Sequence, residues 1–100
     1  MIEKHSPVVS VDASPKELYK VTSGRVFYAK ELHVYNGTSS PIVVTLCDKD
    51  GNDKTVGIPV NAGDTVVFKW EIPIKFETNP YIKSNVTDVG IKAQLFGYEG

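Results

Sequence analysis

The chain reads as all-β, an antiparallel two-sheet β-sandwich, jelly-roll-like, with seven to eight short strands. Three observations predict this. Apolar and polar residues alternate at period two along most of the 100 residues, which is the strand signal. Turn pairs recur about every ten residues: Ser23-Gly24, Asn36-Gly37, Asp50-Gly51, Ala62-Gly63 and Asn79-Pro80. Glycine and asparagine accept the positive φ that tight hairpins need. Finally, a chain this short with turns this frequent closes most naturally as two packed sheets.

The elements follow in order. The first six residues, MIEKHS, read as a loose arm on a single domain spanning 1–100. Ser14-Pro15-Lys16-Glu17 has the form of a helix start, with a capping serine, proline at the first position and glutamate at the third. Too few residues follow before Gly24 for more than about one and a half turns. A strand from Leu18 to Val21 is therefore preferred. Alternation then places Leu32 and Val34, next Ile42, Val44 and Leu46, and later Val89, Ile91, Ala93 and Leu95 on inward faces. Val56, Ile58, Val60 and Ile82 join the expected core. In Thr65–Ile72 the inward set is Val66, Phe68, Trp70 and Ile72, opposing Val67, Lys69 and Glu71. Pro41 and Pro73 are expected at strand ends, and Pro59 on an edge strand or a bulge.

Composition narrows the function. Eleven basic and twelve acidic residues give a net charge of −1, so no strong field for nucleic acid or an anionic membrane exists. Apolar runs are too short to span a bilayer. The N-terminus lacks the apolar core of a secretory signal. The lone Cys47 forms no internal disulfide, which suits a reducing cytoplasm.

The acid-rich run Cys47-Asp48-Lys49-Asp50-Gly51-Asn52-Asp53-Lys54 raises the question of a metal loop. A helix–loop–helix calcium site needs glycine at the sixth position and a carboxylate at the twelfth. Counting from Asp48, glycine comes at the fourth position and Pro59 at the twelfth, so a hairpin tip is expected and no metal or other cofactor. Cys47 should point away from Val44 and Leu46, with Asp48 discouraging its thiolate. A His33–Cys47 nucleophile pair would require chance alignment of strands. Glu71 and Glu77 do not form a recognisable acid–base pair. The chain is therefore expected to be non-enzymatic. Asn36-Gly37-Thr38 and Asn85-Val86-Thr87 match the glycosylation triplet and are assigned no sugar. The aromatics Tyr19, Phe27, Tyr28, Tyr35, Trp70, Tyr81, Phe96 and Tyr98 leave open a carbohydrate-binding module. Core and interface roles are the favoured explanation for them.

The stretch LYKVTSGRVFYAKELHVYNGTSSPIVVTLCDKDGN resembles small structural proteins of tailed bacteriophages and related viruses. The matching residues are Leu18-Tyr19-Lys20-Val21, Gly24-Arg25, Val34-Tyr35-Asn36 and Val44-Thr45-Leu46. The later IPVNAGDTVVFKWEIPIKF and the closing GYEG are similar to that family too, while Thr22-Ser23 stands where it more often has proline and alanine. The resemblance implies a virion component made in the host cytoplasm: capsid decoration, head-fibre base or tail subunit. It further implies small jelly rolls assembling in threes or larger rings beside a major capsid or tail protein. The expected contact face comprises Val43, Thr45, Val67, Phe96 and Tyr98.

Overall fold

The computed structural model describes residues 1–100. The strands are β1 (Ile2–His5), β2 (Val9–Ser10), β3 (Lys16–Glu17), β4 (Phe27–Asn36), β5 (Ile42–Cys47), β6 (Ile58–Val60), β7 (Thr65–Phe76), β8 (Tyr81–Ser84) and β9 (Ile91–Glu99). Every pairing is antiparallel. One sheet, here sheet A, runs β1-β9-β4-β7, with β2 also on β9; sheet B runs β3-β8-β5-β6. β1 and β2 form two halves of one edge, since β1 pairs with Phe96–Glu99 and β2 with Lys92–Ala93. Every connection from β2 onward crosses between sheets except β5 to β6. That is a jelly roll of nine strands, slightly more than the expected seven to eight.

The core lies between the sheets. Leu32 and Val34 of β4 face Ile42, Val44 and Leu46 of β5, with Ile58, Val60, Ile82, Ile91, Ala93 and Leu95 around them, all buried. Alternation predicted these. Phe27 and Ala29 are buried as well, two residues apart, and then the phase slips by one before Leu32. The cause is a bulge at Lys30: Ala29 pairs with Gly97, but Glu31 already pairs with Phe96. An extra residue on one strand re-aims every side chain beyond it. Gly97 is required beside this bulge, because a Cβ there would lie 2.0 Å from the Tyr28 carbonyl oxygen and 2.8 Å from Phe27 Cζ.

Several expectations need correction. The supposed loose arm is β1, laddered on β9, and the buried Ser6 continues the tie: its N–H donates to the Leu95 carbonyl (2.7 Å) and its hydroxyl oxygen accepts from the Leu95 N–H (2.8 Å). An edge of β9 offers unpaired backbone groups, and this segment satisfies them. The strand placed at Leu18–Val21 is instead the two-residue β3, Lys16–Glu17, although Leu18 is buried. Val56, Phe68, Ile72 and Val89 are 82%, 37%, 82% and 90% exposed, so none belongs to the core. Pro73 lies inside β7, not at its end. Pro59 sits in β6, the edge strand of sheet B.

Asn36-Gly37 is not a hairpin tip, and neither residue has positive φ. Asn36 is fully buried at the end of β4. Its amide donates to the carbonyls of Ser40 (2.8 Å) and Val60 (3.0 Å). Its Oδ1 accepts from the Thr38 N–H (2.9 Å) and hydroxyl (2.7 Å). The side chain stitches the β4–β5 crossover to β6, which leaves it no means of carrying a sugar. Glu99 does comparable work at the other end. Though buried, its carboxylate accepts from the Thr22 N–H (2.8 Å), the Thr22 hydroxyl (2.8 Å) and Tyr19 (2.9 Å). The Thr22 N–H above all holds its pKa below the usual carboxylate value.

Candidate functional site

The acid-rich loop resolves first. Asp48 accepts from the backbone N–H groups of Asp50 and Asn52 (both 2.9 Å) and from the Asn52 amide (3.0 Å). These bonds, the Asn52 N–H foremost, lower its pKa. Lys83 reaches in from β8 and donates to the Gly51 carbonyl (2.6 Å) and the Asp53 carboxylate (2.9 Å). Its ammonium thus takes up oxygen acceptors of the loop that a cation would need. No three His, Cys, Asp or Glu side chains converge on a metal geometry anywhere in the chain. Gly51, at φ 83°, makes the turn.

This loop also explains Cys47. By alternation its side chain belongs to the outer face of sheet B, yet it is fully buried. A bridge from Cys47 to Asp53 folds the loop back over it, and burial raises the thiol pKa. His33 is on the other sheet, bonded through Nε2 to Glu31 at 2.6 Å and packed at a tilt against Phe96 at 4.6 Å. The two cannot cooperate as a nucleophile and base. Glu77 is paired with Lys75 at 3.3 Å.

The five residues expected to form one contact face divide between two. Val43 and Thr45 alternate with buried Val44 and Leu46, so they face outward from sheet B. Val67, Phe96 and Tyr98 stand on the outer face of sheet A, with Val67 opposite His33 and Tyr98 opposite Tyr28. No single flat contact takes all five.

The outer face of sheet A carries most of the aromatic surface. Tyr28 and Tyr98 stack at 5.2 Å, and Phe96 lies between the His33 and His5 rings, 5.8 Å from His5. A groove of about 530 Å³ runs past Phe96, Gly97 and Tyr98, edged by Glu3, Lys4, His5, Lys30 and Glu31. The Lys30 bulge of β4 lies on its edge. Three other aromatics have internal duties, while Tyr35 is exposed. Phe27 fills the core, Tyr19 packs on it and donates to Glu99, and Tyr81 donates to Glu17 (3.2 Å).

The third surface is the rim at β7. β6, the last strand of sheet B, has three residues against the twelve of β7, and on β7 only Phe76 is fully buried. Val66 and Trp70 are half-buried, Phe68 is 37% exposed, and Phe68 and Trp70 touch at 5.2 Å. On β4, Ala29 pairs with Ile74 and Glu31 with Lys69, so Trp70, Glu71, Ile72 and Pro73 stand against Lys30 alone. The chain bows there and lifts Ile72 into solvent. Val67, on the outer side, is 51% exposed. Sequence alternation assigned Val66, Phe68 and Trp70 to a common face correctly. It held no information on how far the opposing sheet extends.

No protein-family model matches the chain, and no curated protein matches it.

Proposed function

We propose that this protein is a non-enzymatic structural subunit that works as a homo-oligomer. The assembly it builds is a virion, in which it serves as capsid decoration, head fibre or tail component beside a major capsid or tail protein. The observation that carries the subunit reading is the β7 rim. Val67 on the outer side of this long edge strand and Phe68 and Ile72 of the alternate phase are all exposed, and exposed apolar surface of this kind marks contact sites. A short chain gains stability by covering such a face with another copy. The virion context is supported by the resemblance of Leu18–Val21, Val34–Asn36 and Val44–Leu46 to phage structural proteins. Jelly rolls also recur in viral capsids, a likeness of fold alone. That resemblance implies assembly in threes or larger rings.

Sedimentation equilibrium over a wide concentration range tests this. The wild type associates, and Val67→Asp, at an exposed position, lowers the mass while circular dichroism and the melting temperature stay unchanged. A wild type that sediments as a single chain at every concentration defeats the proposal.

The sheet A groove favours a second reading, a carbohydrate-binding module. Lectin domains use the same fold, and the Tyr28–Tyr98 stack offers a flat apolar platform for a sugar ring beside charged hydrogen-bonding groups. A glycan array showing binding lost in Tyr98→Ala supports it; an array without a specific signal removes it.

A further inference from the structure

We propose that the groove on sheet A takes an anionic sugar, with its carboxylate or sulfate on Lys30 and its hydroxyls on Glu3. This rests on the carbohydrate reading and adds the class of sugar and its orientation.

The first observation is the shape. The groove crosses three adjacent strands, β1, β9 and β4. Its volume of about 530 Å³ lies within the range of small-ligand sites. Phe96 and Tyr98, two residues apart on β9, share the outer phase and wall it, with the Tyr28 ring stacked beside Tyr98 at 5.2 Å. Rings already held by their neighbours offer apolar surface to a sugar's C–H groups with little further ordering.

The second observation is how the charges are spent. Lys30 and Glu31 stand on the β4 side. Glu31 is committed, through Oε2 to His33 at 2.6 Å and through Oε1 to Lys69 at 3.5 Å. The Lys30 ammonium is the free charge on that side: the residue is exposed, and no ion pair of the chain includes it. On the β1 side Glu3 pairs across to Tyr98 and so shares its outward phase. Glu3 too is exposed and outside every ion pair. Lys4 takes the opposite phase, where its charge acts on Glu99. One free cation and one free anion thus face each other across β9, two strand spacings, about 10 Å, apart.

The ammonium takes an anion through charge-assisted hydrogen bonds, and the carboxylate accepts the same kind of bond from hydroxyls. A ligand that answers both ends has an anionic group at one, hydroxyls at the other and an apolar ring face between them. A neutral sugar leaves Lys30 unanswered, a cationic one meets it with like charge, and an inorganic anion uses neither Glu3 nor the aromatic walls.

Titration calorimetry with three probes tests this: an oligouronate, its carboxyl-reduced neutral form, and a sulfated oligosaccharide of the same length. At least one anionic probe should bind roughly tenfold or more tighter than the neutral one, and salt should narrow the gap. Which anionic probe binds names the group on Lys30. Lys30→Gln should abolish the preference while leaving the neutral probe's Kd unchanged. Glu3→Gln should weaken all three by a similar factor, since a screened charge about 10 Å from the anion discriminates little. Equal affinity for anionic and neutral probes, or a preference that survives Lys30→Gln, overturns this inference and leaves the carbohydrate reading standing. No binding of any probe, together with a silent glycan array, overturns both.

Discussion

Replacing Asn36 by aspartate changes one NH2 group to an oxygen at nearly constant volume. The amide now donates to two carbonyls, of Ser40 and Val60, from a fully buried position. A carboxylate donates to neither and turns its charge toward both oxygens. A buried acceptor left without its donor costs about 1–3 kcal/mol, so two cost roughly 2–6 kcal/mol before the charge is considered. Against a total stability of about 5–15 kcal/mol for a chain of this size, a loss of roughly 3–5 kcal/mol at pH 7 is expected. In a thermal melt that is a fall of about 12 °C or more. The pH dependence gives the sharper test. Burial against two carbonyls raises the new carboxyl's pKa in the folded state above its unfolded value of about 3.9. The folded state then binds the extra proton first, so acidification recovers stability, as the protonated acid can donate to one carbonyl. Urea denaturation of Asn36→Asp, Asn36→Ala and wild type between about pH 7 and 5 measures this, since a buried carboxyl titrates in that range. The aspartate variant should gain relative to wild type as pH falls, and the alanine variant should not. An aspartate variant within about 1 kcal/mol of wild type at pH 7, or without recovery in acid, would refute the account of Asn36.

Other expectations follow from the same geometry. Glu99 has a depressed pKa, with the Thr22 N–H as the main cause. Its stabilising contribution is complete above its unfolded pKa of about 4.3 and fades as pH falls through the lower folded value; Glu99→Gln should flatten that acid limb in a melting-temperature profile. Gly97→Ala drives a methyl group toward the Tyr28 carbonyl and should cost at least about 2 kcal/mol in urea denaturation, whereas Gly63→Ala, with open space around it, pays only for its positive φ. Cys47, buried with a raised pKa, should react slowly with a disulfide reagent at pH 8; Asp48→Ala, which frees the loop above it, should speed that reaction without a change in global unfolding.

The sequence made β4, β5 and β9 legible because each is covered on one face along its whole length. Leu32, Val34, Val44, Leu46, Ile91 and Leu95 declare that face by alternation alone. β7 is different. Its pattern is as regular as any, but Phe68 and Ile72 emerge exposed because β6, the last strand of sheet B, is short and because the chain bows at Trp70–Pro73. The width of a facing sheet is a non-local quantity, absent from a strand's own residues. The Lys30 bulge was hidden for a similar reason, since it shows only as a slipped phase between Ala29 and Leu32. β1 lacked apolar content and read as an arm, yet backbone groups on β9 recruit it. Asn36-Gly37 carries strong turn chemistry, and only the tertiary position of the Val60 carbonyl turns that asparagine inward. The contact residues suffered most. Val43 and Val67 share an outward phase, but phase does not say which of two sheets a strand joins.

The central pair of sheet A joins β4 to β9, two segments far apart along the polypeptide. Bringing such distant segments together carries a loop-closure penalty before any contact rewards it. Until Ile91–Glu99 arrives, β4 lacks one neighbour and the greasy inner side of β7 has no finished sheet to belong to. Maturation should therefore be slow and abrupt, with the β5–β6 hairpin the one piece able to form early. A nascent molecule would spend that interval with its stickiest strand uncovered, the moment when premature encounters between chains are hardest to avoid.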